Sequence, residues 1–395
     1  MGRVLLIALL LVASVWVKAQ DTRSIPMVSV RADKGSITQT NDFLTGTNAH
    51  GVKMKDYSSM MIEIGVQSQG SKTWHSQYDF PSYGVGLYTA TLENQGEIGR
   101  PWSLFGFYRG TLWRSESANH TFRYNIEAGL AWNWRCYDEN TNPYNITIGS
   151  PVTAHIGLGL DYSYRVCKNL QIGVGGGFTH FSNGAVRKPN KGLNLMGANV
   201  RLTYLLREEK YGNVLREPTK MNENEIDFTL GMGIKRYECD TVSHPELTTP
   251  FKLGSRYTVS TFQAVFLHQY SVKGKYGAGL NVTYDDWLGS DTRTKADGRD
   301  VEVVHGKTSK RINLGVILAH EFCIARLSIP TQLGFYVYQP SGIEQKKKRS
   351  FQRMGVKYTF PVGIQTGVNI FAHQLSKADF IEWHLGYRLQ LSRQK

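Results

Sequence analysis

The feature that most constrains this chain is an alternation with a period of two. From Ala154 to Val166 the even positions read Ala154, Ile156, Leu158, Leu160, Tyr162, Tyr164 and Val166. The odd positions read His155, Gly157, Gly159, Asp161, Ser163 and Arg165. One face is wholly apolar or aromatic and the other is polar or glycine. A strand with lipid on one side and a polar interior on the other requires this pattern. The pattern recurs over Phe122 to Trp134, Ile226 to Ile234, Tyr276 to Tyr284 and Trp383 to Leu391. A water-soluble sandwich also alternates, but its polar face carries Lys, Glu and Thr rather than Gly, Asn and Asp.

The rest of the chain agrees with a membrane barrel. No stretch after the N-terminus has 18 or more consecutive apolar residues, so only a closed β-barrel would span a bilayer. Aromatic residues and glycine are abundant, with 21 Tyr, 17 Phe, 8 Trp and 40 Gly. The expected fold is therefore all-β, a transmembrane antiparallel up-and-down β-barrel of about 14 strands, with roughly 12 to 16 allowed, over residues 58–391. Residues 20–57 read as an irregular N-terminal segment. Polar stretches at 137–150, 183–192, 209–224, 238–255, 287–308 and 339–349 read as loops.

Residues 1–19 read as a secretory signal peptide. Arg3 is followed by an apolar run from Val4 to Val17, too short for a spanning helix, and then by Val17-Lys18-Ala19, which resembles a cleavage site. The expected location is the outer membrane of a Gram-negative bacterium. The formal charge of +14 suits a partner carrying phosphates, such as lipopolysaccharide, and a secreted chain makes nucleic acid the weaker choice. The four cysteines, Cys136, Cys167, Cys239 and Cys323, show no metal spacing. Cys136 and Cys167 fall at opposite ends of one expected strand, too far apart for a direct bridge. His155, His320 and His373 read as lumen or loop residues. The run "GVGGG" (Gly173 to Gly177) precedes no helix, so it reads as close strand packing rather than a phosphate loop.

The strand from Leu170 to Ser182 carries the candidate chemistry. Its even positions are Ile172, Val174, Gly176, Phe178, His180 and Ser182, so His180 and Ser182 continue the lipid face. The next strand opens with Asn194 on its own lipid face. An antiparallel hairpin then brings Ser182, His180 and Asn194 together outside the barrel. Polar groups at the edge of hydrocarbon are costly and call for a reason. A serine hydroxyl is a weak nucleophile until a neighbouring base takes its proton. His180 can be that base, with Asn194 fixing its tautomer. Asn183 and the backbone N–H groups around Gly184 can stabilise an oxyanion.

The segment "FTHFSNGAVRKPNKGLN" resembles the lipid A 3-O-deacylase (PagL) family of outer-membrane β-barrel hydrolases. The resemblance is carried by His180, Ser182 and Asn183, followed by a turn with Pro189, Asn190 and Gly192, and it covers residues 154–206. It implies hydrolysis of an ester-linked acyl chain of lipid A by a Ser–His–Glu triad on the outer wall, with no metal or other cofactor. It assigns the nucleophile to Ser182, the base to His180 and oxyanion roles to Asn183 and Gly184. The partner it implies is lipid A, lipopolysaccharide or another acylated lipid. The family's glutamate aligns with Asn194. Residues after 224 are not explained by it.

The rival reading is a non-enzymatic barrel, a porin, transporter or structural protein with a degenerate hydrolase motif. One inconsistency attends both. Strand 170–182 counts as the sixth, yet a strand running outward from a periplasmic N-terminus has an odd number.

Overall fold

The structure is a computed structural model and describes residues 24–70, 72–208, 220–239, 252–288, 290–294, 301–340, 348–373 and 377–392. The expected signal peptide, residues 1–19, lies outside the described residues, as do residues 209–219, 240–251 and 341–347 of the expected loops 209–224, 238–255 and 339–349.

The chain forms two closed antiparallel barrels of eight strands each, not one barrel of about 14. The first contains β1 (Ile25–Ile37), β2 (Asp56–Gln67), β3 (Ser82–Leu92), β4 (Gly99–Arg114), β5 (His120–Trp134), β6 (Thr153–Cys167), β7 (Leu170–Ser182) and β8 (Leu193–Leu205). It closes by pairing β1 with β8, for example Arg31 with Arg201. The second begins with β9 (Lys220–Cys239), β10 (Lys252–Ser271) and β11 (Gly274–Asp285). A separate hairpin follows, made by β12 (Ser290–Thr294) and β13 (Val301–His305). The barrel resumes with β14 (Ile312–Ile324), β15 (Leu327–Tyr338), β16 (Ser350–Thr359), β17 (Ile364–His373) and β18 (Lys377–Ser392). It closes between β18 and β9. The two barrels fall in separate compact units.

Alternation alone cannot tell one large barrel from two small ones, because each strand looks the same in either. Closure is decided by register and by which strands meet at the seam. The N-terminal strand escapes the pattern for a different reason. Residues 25–37, expected to be irregular, form β1. Its outward face has only Val28, Val30 and Ala32 as an apolar run before Lys34 and Ser36, so its lipid signal is short. With β1 counted, Leu170–Ser182 becomes the seventh strand, which removes the inconsistency in direction.

In both barrels the apolar face is outside. Leu160, Val174, Val200 and Leu202 stand exposed on the first, and Leu230, Leu280, Leu318 and Trp383 on the second. The expected parity of β6, β7 and β8 is therefore the observed one. The inside is polar and filled. In the first barrel Arg31 pairs with Glu127 at 2.6 Å, and Arg109 and Arg201 both grip the Glu63 carboxylate, Arg109 at 2.8 Å. In the second, Arg353 pairs with Glu382 at 2.8 Å and Lys275 with Glu225 at 2.6 Å, while Lys357 bridges Asp227 and Glu321. An eight-stranded barrel is just wide enough for side chains to fill it, and these ion pairs occupy that space. His155 and His373 lie inside their barrels, whereas His320 faces outward and meets the Tyr270 hydroxyl at 3.2 Å. Gly175 reflects the close packing: a Cβ there would lie 2.4 Å from the Leu160 carbonyl oxygen.

Each barrel also has an apolar plug at one end. In the first, Phe181 is fully buried among Tyr88, Trp134 and His155. Phe181 thus turns inward and seals the barrel at the level where its neighbours His180 and Ser182 turn outward. In the second, Phe351, Phe371 and Phe380 stack with ring centres 5.0 and 4.8 Å apart.

Candidate active site

The site is built by the β7–β8 hairpin. Register pairs His180 with Asn194, and β6 supplies Ile156 and Ala154 opposite His180 and Ser182. Because strand residues two apart share a face, His180 and Ser182 project to the same side. Their side chains touch: His180 Nε2 and Ser182 Oγ are 2.9 Å apart. On the other ring nitrogen, His180 Nδ1 lies 2.5 Å from Asn194 Oδ1. An amide oxygen only accepts, so this bond puts the ring proton on Nδ1. Nε2 then keeps its lone pair and accepts the Ser182 hydroxyl. The three residues the sequence singled out therefore form one directed hydrogen-bonded chain. Ser182 is buried, at 7% exposure, and the Phe178 ring lies nearly parallel to His180 at 6.5 Å. Below the site on the outer wall, Leu158 and Met196 are exposed and apolar.

The end of the loop that follows returns to the pair, through Asn190 and Gly192. Asn183 donates its backbone N–H to Asn190 Oδ1 at 3.2 Å, so of the expected oxyanion donors that N–H is engaged. Gly184 and Ala185 both take left-handed conformations, φ +59° and +65°. Gly192 is left-handed as well, at φ +75°. A Cβ on Gly192 would lie 3.0 Å from His180 Cε1 and 3.6 Å from Ser182 Cβ. Only glycine fits between this turn and the imidazole without strain.

Sequence reasoning misses the residues that hold this turn in place. Gly192 and Lys191 donate backbone N–H groups to Thr147 and Ile146 carbonyls at 3.0 Å each. That segment is pinned by Asn145, whose side-chain oxygen accepts from the Thr147 and Ile148 N–H groups and whose amide donates to the Glu97 and Arg135 carbonyls. Asn145 sits in a polar loop with no apolar periodicity, so only the fold could reveal its role. Thr38, just past β1, donates its N–H to the Asn194 carbonyl at 2.9 Å. Among the described residues no group of three or more His, Cys, Asp or Glu side chains converges as a metal site.

A profile of the lipid A 3-O-deacylase (PagL) family matches residues 60–203, and a profile described as acyloxyacyl hydrolase, C-terminal domain, matches residues 224–391. Over these two stretches the chain is similar to the PagL family. The first match takes in β2 to β8 and the whole candidate site, well beyond the motif region. The second covers the strands that the motif left unexplained. Among solved structures, the outer membrane enzyme PagL aligns at 15% identity over 44% of this chain and 97% of its own, with a TM-score of 0.29. The β domain of the Bordetella autotransporter BrkA aligns at 10% identity over 93% and 100%, with a TM-score of 0.25. No curated protein gives a significant match.

Proposed function

We propose that this protein is an outer-membrane serine esterase that removes an ester-linked acyl chain from lipid A. The observation that carries the reading is the Ser182–His180–Asn194 chain on the outward, lipid-facing wall of the first barrel. A catalytic serine placed there meets a substrate that resides in the membrane. The same groups in a soluble enzyme would line a water-filled cleft.

The reaction follows from the hydrogen bonds. His180 Nε2 takes the Ser182 proton as Oγ attacks the ester carbonyl. The tetrahedral oxyanion is met by the Gly184 N–H and the Asn183 carboxamide. Collapse expels the sugar hydroxyl, which receives its proton from Nε2, and leaves an acyl-serine. Water, deprotonated by the same nitrogen, releases the fatty acid. Asn194 holds the ring in the required tautomer throughout but, being neutral, adds no charge to stabilise the imidazolium.

Placement in the outer leaflet is supported by loop lengths. The site lies at the end of the first barrel that carries the connections 38–55, 93–98, 135–152 and 183–192. The opposite end has the short turns 115–119 and 168–169, with 68–81 the one long connection. Outer-membrane barrels keep short turns in the periplasm and long loops outside. β7 then runs outward, delivering Ser182 to the leaflet that holds lipid A. The signal peptide at residues 1–19 is part of the same reading. The filled barrel interiors leave the porin reading without support.

Mass spectrometry of lipid A from cells expressing the native protein or Ser182→Ala tests the proposal. The native protein is expected to yield a species lacking one acyl chain, absent with the variant. Identical acylation patterns would overturn it.

A further inference from the structure

The first barrel turns its charged side chains inward, with one departure. Arg31, Asp33, Glu63, Glu127 and Arg201 are all buried. Among the described strands of this barrel, Lys34 is the one Lys, Arg, Asp or Glu on the outer face that does not sit in the first or last two positions of its strand. It is exposed, and its side chain has neither a hydrogen bond nor an ion pair among the described residues. Its partners across the ladder are Ser58 on β2 and Ala198 on β8, both exposed, and Ser36 follows it on the same face. An unpaired cation on the lipid face of a membrane barrel is costly. Snorkelling lets the ammonium leave hydrocarbon, but it gives no reason for a lysine to stand there.

The register gives Lys34 a definite height relative to the site. Following paired residues from Ala32 through Met60, Thr89 and Trp102 leads to Trp132, from inside β1 to the end of β5 at the site end. The rungs therefore climb toward the site end with rising strand number. At a tilt of about 40° and a strand spacing near 4.8 Å, each step rises roughly 3 Å. From His180 through Asn194 to Thr38 is two steps, so Thr38 stands roughly 6 Å higher than His180. Lys34 lies four residues back along β1, roughly 10 Å lower than Thr38 in height. Its Cα is thus only about 4 Å below His180, and a side chain of about 6 Å reaching upward brings the ammonium level with the catalytic ring. Laterally it is two strands away, on the same outer wall.

We propose that Lys34, flanked by Ser36 and Ser58, is the subsite that holds a phosphate of the substrate's sugar headgroup while Ser182 attacks an ester on the same molecule. The inference rests on the esterase reading and adds to it the feature of the substrate that is recognised. A phosphorylated headgroup satisfies the cation and both hydroxyls, and its acyl chains then lie along Phe178, Met196 and Leu158. A neutral lipid leaves Lys34 unpaired.

Binding is measured in a Ser182→Ala background, so that no turnover is needed. Purified protein in neutral detergent is titrated with labelled lipid A and with the same lipid after phosphatase treatment. Lys34→Gln is expected to weaken binding of the phosphorylated lipid about tenfold or more, in line with a charge-assisted hydrogen bond. It should leave the dephosphorylated lipid unchanged, and Lys34→Arg should restore affinity. Equal weakening for both lipids, or none, overturns the subsite. Displacement of lipid A by inorganic phosphate at comparable concentration assigns the site to a free anion and also overturns it. The acylation pattern with native Ser182 tests the esterase reading separately: unchanged lipid A together with a phosphate-specific Lys34 effect would sink the esterase and keep the subsite.

Discussion

His180 Nδ1 and Asn194 Oδ1 stand 2.5 Å apart, so the residue that closes the hydrogen-bonded trio is a neutral amide rather than a carboxylate. The amide does half of a carboxylate's work. It selects the Nδ1–H tautomer, which is what positions Nε2 to accept the serine proton. It does not offset the positive charge that the ring acquires. Asn194→Glu is therefore expected to raise kcat, on the order of tenfold, by adding that charge. Asn194→Leu removes the acceptor and frees the ring, and kcat should fall by roughly 10²-fold or more. Acyl release from purified lipid A in detergent, followed at saturating substrate, distinguishes the two. If neither variant departs from the native rate, Asn194 has no part in orienting the base.

Gly192 is expected to matter through His180 rather than through the substrate. Its φ is +75°, and a Cβ added there would approach His180 Cε1 to 3.0 Å. The Gly192→Ala variant therefore has two ways to relax: either the turn moves or the imidazole does. Its kcat should drop about tenfold while KM is little changed, because the lipid-binding wall below the site is untouched. Folding should cost only about 1–2 kcal/mol, the strain of a left-handed alanine. Heat-modifiable migration on gels shows whether the barrel forms. A variant that folds and keeps native kcat would show that the turn does not set the ring.

Most of the site could be read from the chain because its logic is local. His180 and Ser182 are two apart, and Asn194 opens the next strand, so parity alone puts all three on one face. The plug residue Phe181 is visible in the sequence only as a break in alternation, since its partners Tyr88, Trp134 and His155 come from three other strands. The division into two barrels was not legible at all. Closure depends on Arg31 meeting Arg201 and Gly386 meeting Thr229 across long separations, and nothing local records those pairings. Lys34 is hidden for a related reason: without β1 recognised as a strand, it has no face to be on the wrong side of.

Glu63 is the hub of the first barrel's interior. Its carboxylate is fully buried between Arg109 and Arg201. Glu63→Ala would leave two guanidinium groups inside the barrel with their shared partner gone. Removing one member of a buried ion pair typically costs about 3–5 kcal/mol. The urea midpoint for unfolding from detergent or lipid vesicles should fall accordingly, and a smaller fall is expected for Asp227→Ala in the second barrel, where Lys357 and Arg388 lose one shared carboxylate but keep Glu321. A loss below about 1 kcal/mol in either would mean that water or neighbouring acids replace the pair.

The outward parity of β7 has its own test, independent of any chemistry. Val174 lies mid-strand on the outer face and is 55% exposed, while its neighbour Gly175 faces the packed interior. If the exposed side is in hydrocarbon, Val174→Arg should destabilise the folded barrel by about 2–4 kcal/mol, the depth-dependent cost of a cation facing lipid near the midplane. The same substitution at Val186, exposed in the loop beyond the strand, should change stability by less than about 0.5 kcal/mol. Unfolding by urea from phospholipid vesicles gives both values on one scale. Equal tolerance at the two positions would place the outer face of β7 in water, and a serine beside it would then have no lipid to act on.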